Sequence, residues 1–406
     1  MLTRQVREIP FSPPDITQAE IDAVVEVLKS GWITTGPKTK LFEQRIAEYV
    51  GTSRAVCLNS ATAAMELTLR ILGVGPGDEV ITSAYTYTAS ASVIHHVGAE
   101  IVLVDTAPDS YEMDYEKLAD AITEKTKVII PVDIAGKMCD YDAIFAAVES
   151  KRHLFKANND IQALYDRVIV MADSAHAFGA ERKGLKCGQV ADFTCFSFHA
   201  VKNLTTAEGG AVVWRDMPGL DNDELYHEFM LYSLHGQSKD ALAKSKKGSW
   251  EYDIVYLGYK CNMTDIAAAL GLAQLERYDD LLRRRRELIE LYDSQLRPFG
   301  TETIEHFGEG FASSGHLYMA RIPGVHESQR NEIIARMADA GVATNVHYKP
   351  LPVFSAYRYL GYDIKNYPNA FRQYQNQITL PLHTRLSNED VGYVTESLKR
   401  AIDKSV

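Results

Sequence analysis

Apolar residues recur at helical spacing in Ile16, Ile21, Val24, Val25 and Leu28, until Gly31, Gly36 and Pro37 break the pattern. The spacing predicts a helix over 16–30, and a second helix covers 38–50. The chain then alternates. Short apolar runs at 55–58, 80–83, 100–104, 128–132, 168–172, 193–196 and 211–214 read as strands, with helical stretches at 62–72, 86–97 and 115–121 between them. Such runs, apolar on both faces and separated by helices, predict an α/β fold: a mainly parallel central sheet flanked by helices. After about residue 250 a long helical stretch, 264–296, leads into a smaller α+β unit. That unit has expected strands at 317–322 and 343–346 and helices at 327–340 and 388–403. The expected division is a large domain over 1–262, and a linking helix with a small C-terminal domain over 263–406.

The chain has 406 residues, 46% of them apolar and 24% charged, an ordinary globular composition. Its net charge of −11 offers no global basic field for nucleic acid or an acidic membrane. Arg283 to Arg286 form the one dense basic run, and their place in a helical pattern reads as a solvated face or a subunit contact. The five cysteines show neither C-x-x-C nor metal-ligand spacing, which reads as reduced thiols in a cytoplasmic protein with no metal site. The first ten residues lack the apolar core of a secretory signal, and no stretch is long and apolar enough to span a membrane. No G-x-G-x-x-G follows the first strands, which argues against a dinucleotide oxidoreductase.

In open α/β sheets, ligands bind beyond the carboxyl ends of the strands. Polar groups stand at several predicted strand ends: Asn59 and Ser60, Asp133, Asp173 and Ser197. Lys202 lies in the segment after Ser197, among Thr205, Thr206, Gly209 and Gly210. A desolvated lysine amine can form a Schiff base with an aldehyde, although most loop lysines are simply solvated. Asp173 could keep a pyridine nitrogen protonated or could cap a helix. His176 could hydrogen-bond a ring oxygen, the aspartate, or nothing beyond the core. Ser60, Ala61 and Thr62 open a predicted helix, whose unpaired N–H groups could cradle a phosphate. Tyr85 and Tyr87 offer either an aromatic to stack on a ring or core packing.

These residues resemble the DegT/DnrJ/EryC1/StrS family of sugar aminotransferases, which depend on pyridoxal 5′-phosphate (PLP) and have fold type I architecture. The likeness runs in order through Thr35-Gly36-Pro37, Ser60 to Ala64, Gly75 to Val80, Asp173 to Gly179, Ser197 to Asn203, Glu208 to Gly210, Gly258 to Asp265, and His347-Tyr348. It implies that Lys202 holds the cofactor covalently and shuttles protons. Asp173 would pair with the pyridine nitrogen, His176 approach the ring oxygen, and Tyr87 stack on the ring. Ser60, Ala61, Thr62 and Ser197 would hold the phosphate. It also implies a homodimer with shared sites, in which Lys260 or Asn262 reaches the partner's phosphate. His199, His347 and Tyr348 would be substrate contacts. Alanine at 61 departs from the family's glycine but keeps the backbone N–H. The link from Asp133 to Asp173 is longer than the family's and reads as a surface insertion around 149–159, or as a substrate or subunit contact.

The implied reaction moves the amino group of L-glutamate, leaving 2-oxoglutarate, to a nucleotide-linked keto-sugar. The wording of the motifs is similar to members that aminate carbon 4 of a UDP- or dTDP-4-keto-6-deoxyhexose, among them the 2-acetamido UDP form. Amination at carbon 3, a sugar dehydrase and a noncatalytic regulatory protein are the alternatives. Lys202 argues against the dehydrase branch, where a histidine takes its place.

Overall fold

The structure is a computed structural model that describes residues 7–239 and 250–405. Most of the N-terminal stretch read for a signal, residues 1–6, lies outside these. Seven strands form the main sheet: β1 (Ala55–Leu58), β2 (Glu79–Ser83), β3 (Glu100–Val104), β4 (Thr126–Ile130), β5 (Ile169–Asp173), β8 (Phe193–Ser197) and β9 (Gly210–Trp214). Two-residue strands β6 (Glu181–Arg182) and β7 (Leu185–Lys186) make a side hairpin. The order is β1-β9-β8-β5-β4-β2-β3. Only β9 runs against the rest, pairing antiparallel with both β1 and β8. The carboxyl ends of the other six therefore meet the start of β9 along one edge. β1, β4, β5 and β9 are buried throughout, as strands covered on both faces should be.

Gly210 shows how tightly that edge is built. It pairs with Leu58 and Ser197, and a Cβ there would lie 2.4 Å from Ala61 N and from the Ser60 carbonyl carbon. Only glycine lets β9 approach the helix Ala61–Ile71 this closely.

The C-terminal part carries a smaller antiparallel sheet of β10 (Glu302–Thr303), β13 (Tyr318–Arg321) and β14 (Gln377–Leu380). The helices Tyr278–Leu296, Glu327–Asp339 and Asn388–Ser405 share its apolar core, built from Leu288, Tyr292, Tyr318, Ile333, Ile378 and Leu398. Strands β11 (Phe307–Gly308) and β12 (Phe311–Ala312) extend the β6–β7 hairpin. Among the described residues, no helix is long and apolar enough to cross a membrane.

Several expectations need correction. The long helix over 264–296 is two helices, Asp265–Glu276 and Tyr278–Leu296, broken at Arg277 (φ −113°, ψ 13°). Arg277 turns toward the N-terminal helix Gln18–Ser30, where its Nε donates to Glu20 Oε1 at 2.7 Å. No ladder forms at 343–346. The Asn345 side chain accepts the Val346 N–H, and a single bridge to Thr379 remains. The helix expected at 86–97 starts at Ala89, leaving Tyr87 in the preceding loop. Within the arginine run, Arg283, Arg284 and Arg286 do form surface pairs, with Asp280, Glu287 and Glu290. Arg285, in contrast, is buried and donates to the carbonyls of Gly315, His316 and Leu382. Within the 134–172 link, the helix Tyr141–Ser150 buries Tyr141, Ile144 and Val148, and the 149–159 portion lies largely at the surface.

At the opposite edge of the sheet, buried Asp192 accepts from Arg167 Nη1 and Nη2 at 2.7 and 2.8 Å, from Arg215 at 3.0 Å and from the Val170 N–H at 2.9 Å. Removing one partner of a buried ion pair strands the other charges. Asp192→Ala should therefore lower the unfolding free energy by about 3–5 kcal/mol, read by urea titration. A loss below about 1 kcal/mol would show that the two arginines find water instead.

Candidate active site

A cavity of about 430 Å3 opens at the carboxyl edge of the main sheet. Its walls bring together Ser60, Ala61, Thr62, Tyr87, Asp173, His176, Ser197, His199, Lys202, His347 and Tyr348 from nearly the whole length of the chain. Lys260 and Asn262 do not line it. They contact each other, and the Asn262 amide donates to Thr35.

Asp173 ends β5, where its N–H donates to Pro131 O (2.8 Å) and its carbonyl accepts from Asp133 N–H (3.0 Å). This exchange fixes the carboxyl group at the cavity floor. Oδ2 accepts from Ser90 Oγ at 2.6 Å, and Oδ1 from the Ala175 N–H at 3.2 Å. Burial pushes the Asp173 carboxyl up, while these two donors and the charge of Lys202 hold it down. Burial pushes the Lys202 amine down to about 8, with Asp173 pulling the other way. At neutral pH the amine is thus within reach of its neutral, nucleophilic form.

His176 has both ring nitrogens engaged inside the chain. Nδ1 accepts the Ala135 N–H at 3.2 Å, so the ring proton sits on Nε2, which lies 3.0 Å from Tyr348 OH. The hydroxyl of Tyr348 consequently keeps its own proton to give elsewhere. Tyr85 is core, with its OH on His347 O at 2.9 Å, whereas Tyr87 is 59% exposed beside the Tyr348 ring. His347 Nδ1 meets Thr379 Oγ1 at 3.0 Å, and exposed His199 lies 3.6 Å from Glu208.

Ser60 caps the helix Ala61–Ile71, its Oγ accepting the Ala63 N–H at 3.0 Å. The first N–H groups of this helix face the same edge as Ser197 and Gly210, whose missing Cβ keeps the cradle open. A desolvated lysine, a buried carboxylate and a helix N-terminus around one cavity fit the three polar parts of PLP, namely aldehyde, ring nitrogen and phosphate.

The sequence did not point to Ser90, Asn203 or His316. Asn203 Nδ2 donates to Ser314 O at 2.8 Å, so its Oδ1 faces His316 Nδ1 at 3.0 Å and assigns that nitrogen the proton. His316 stands 4.4 Å, centroid to centroid, from His176 and lines the cavity. Asn203 adjoins Lys202 in sequence and could have been suspected on that ground. Nothing in the local pattern distinguishes Ser90 or His316.

Fold and cavity together suit an enzyme that binds PLP. A profile of the DegT/DnrJ/EryC1/StrS aminotransferase family matches residues 14–399, and the chain belongs to that family. It is 36% identical over 403 residues to the spore coat polysaccharide biosynthesis protein SpsC of Bacillus subtilis, covering 98% of each chain. It is 34% identical to the UDP-4-amino-4-deoxy-L-arabinose–oxoglutarate aminotransferase of Shewanella sediminis, covering 97% of this chain and 98% of that one. Among solved structures, the PMP form of the putative sugar aminotransferase Spr1654 from Streptococcus pneumoniae superposes with a TM-score of 0.96. It is 57% identical and covers 98% of this chain and 100% of its own. A PLP form of the same protein gives 0.95. The protein is a sugar aminotransferase that uses PLP.

Burial lowers five histidines: His176 and His316 well below the ordinary value, His306 and His383 to about 4, and His347 to about 3. Below pH 6.5 the unfolded chain takes up these protons and the folded chain does not, so their contribution is present above 6.5 and lost as pH falls. Glu43, Asp133 and Asp173 act oppositely, since burial raises them, the first to about 7 and the second to about 6. Five groups against three leave a net loss toward acid of about 1.4 kcal/mol per pH unit for each uncompensated proton. The urea midpoint should fall steadily between pH 6.5 and 4.5. A level or rising midpoint would show that the buried imidazoles accept protons in the folded state.

Proposed function

We propose that the enzyme takes its amino group from L-glutamate and delivers it to carbon 4 of a nucleotide-linked 4-keto-6-deoxyhexose, carried on UDP or dTDP and including the 2-acetamido UDP form. The observation that carries the site assignment is the meeting of Lys202, Asp173 and the Ser60–Gly210 cradle around one cavity. Carbon 4, a nucleotide and 2-oxoglutarate draw support from the name of the Shewanella relative.

In this reading Lys202 holds the cofactor's aldehyde carbon, Asp173 its ring nitrogen, and Ser60, Ala61, Thr62 and Ser197 its phosphate. When bound, PLP supplies the electron-withdrawing ring that lets an amino group pass between two carbon skeletons. As a free amine, Lys202 Nζ would take the α-proton of glutamate and give a proton back during the transfer of nitrogen. Its lowered pKa suits both tasks, because the same amine must bind and release a proton near neutrality. Asp173, held by Ser90, keeps a negative charge against the ring nitrogen. His176 would act on the ring oxygen through the Tyr348 hydroxyl that its Nε2 meets, and Tyr87 would cover the ring face. His199, His347 and Tyr348 meet the sugar.

The enzyme works as a homodimer with a large domain over 1–262 and a small one over 263–406. Lys260 or Asn262, neither of which lines its own cavity, serves the partner's phosphate site. The exposed apolar side chains Trp250, Val255 and Leu257 just before them support a covering partner.

Lys202→Ala should lower turnover by at least about 10⁴-fold, the upper reach of a single acid–base group. Steady turnover within tenfold of wild type would remove Lys202 from the mechanism. Ser90→Ala takes away one donor to a buried carboxylate, and cofactor affinity should drop roughly 10- to 100-fold on dialysis. A panel of UDP- and dTDP-keto-sugars with glutamate, analysed by mass and NMR of the product, tests the substrate. An amino group on carbon 3 would overturn the carbon 4 reading.

A further inference from the structure

A second cavity, of about 520 Å3, adjoins the first and shares Thr86, Tyr87, His347 and Tyr348 with it. The rings of Tyr87 and Tyr348, 6.0 Å apart between centroids, stand at the divide. The remaining walls come from 345–349 and from Phe354, Ala356 and Tyr357. Tyr357 OH meets Thr88 Oγ1 at 2.7 Å, which ties the outer wall to the loop that carries Tyr87. The volume lies within the range of about 300–1,000 Å3 common for small-molecule sites.

The chemistry of this groove differs from that of the first cavity. Among the described residues lining it, Lys349 is the one charged side chain and no carboxylate is present, in a chain whose net charge is −11. Lys349 Nζ lies 5.4 Å from the centroid of the Phe354 ring. Phe354 is 42% exposed, so an aromatic face remains open. A cation beside an open aromatic face suits a ligand that is flat at one end and anionic next to it. Glutamate has no flat part and gains nothing from Phe354, whereas a nucleoside diphosphate has both features.

We propose that this groove takes the nucleotide half of the substrate. Phe354 stacks on the base, Lys349 pairs with the diphosphate, and the sugar passes between Tyr87 and Tyr348 toward Lys202. The proposal rests on the reading that the sugar is nucleotide-linked.

Calorimetric titration of the cofactor-loaded protein with UDP and with dTDP tests it. Phe354→Ala and Lys349→Ala should each weaken the nucleotide that binds by about 10- to 100-fold. Lys349→Ala should also flatten the salt dependence of binding. Tyr359→Ala, at a 92% exposed residue outside the groove, is the control and should bind as wild type does. With a nucleotide keto-sugar the loss should fall on KM rather than kcat. If wild type binds a nucleotide and both groove variants bind it equally well, the groove assignment is overturned while the substrate reading stands. If wild type binds neither UDP nor dTDP yet aminates a keto-sugar without a nucleotide, the substrate reading falls and takes the groove assignment with it.

Discussion

Desolvation of Lys202 and Asp173 at the carboxyl edge of one sheet is the constraint on which the rest of the site depends. Each would be easier to keep charged in water, and burial moves the two pKa values toward each other. The surroundings then decide how much charge survives. Asp173 receives two hydrogen bonds that favour its charged form, while three neutral imidazoles, His176, His316 and His347, stand near Lys202 without adding positive charge. If any of these rings were protonated, its repulsion would drive the lysine amine lower still. The tautomers are set by backbone and amide groups instead. Ala135 N–H fixes His176, and Asn203 fixes His316.

The main sheet was legible because its strands are buried on both faces, so continuous apolar runs mark them directly. Every strand of that sheet was located to within two residues. The same feature exposed much of the site, since polar residues that end such runs stand out. Asp173, Ser197 and Ser60 stand out in this way, and all three line one cavity with Lys202. What stayed hidden depends on tertiary partners. Strands of two residues, such as β6, β11 and β12, carry no period to read. Strand β14 was missed although all four of its residues are buried, because polar Gln377 and Thr379 alternate with Ile378 and Leu380. Ser90 reaches Asp173 across 83 positions, and His316 reaches Asn203 across 113. No local pattern encodes either contact.

Arg285 shows the same limit and what lies beyond it. In sequence it is one of four equivalent arginines on a charged helix, and only the fold separates it from its neighbours. Buried with no ion pair among the described residues, its guanidinium is pushed down to about 10 by desolvation. Tyr278 and Asp15 pull the other way, and three carbonyl oxygens accept from it. Two of those carbonyls belong to Gly315 and His316, and the third to Leu382 just after β14. The arginine thus pins the turn that carries His316 to the helix Tyr278–Leu296 and to the smaller sheet at once. His316 in turn contacts Asn203, the residue after Lys202. A chain of hydrogen bonds therefore runs from the C-terminal core to the lysine segment, so the position of the smaller sheet bears directly on the geometry at Lys202.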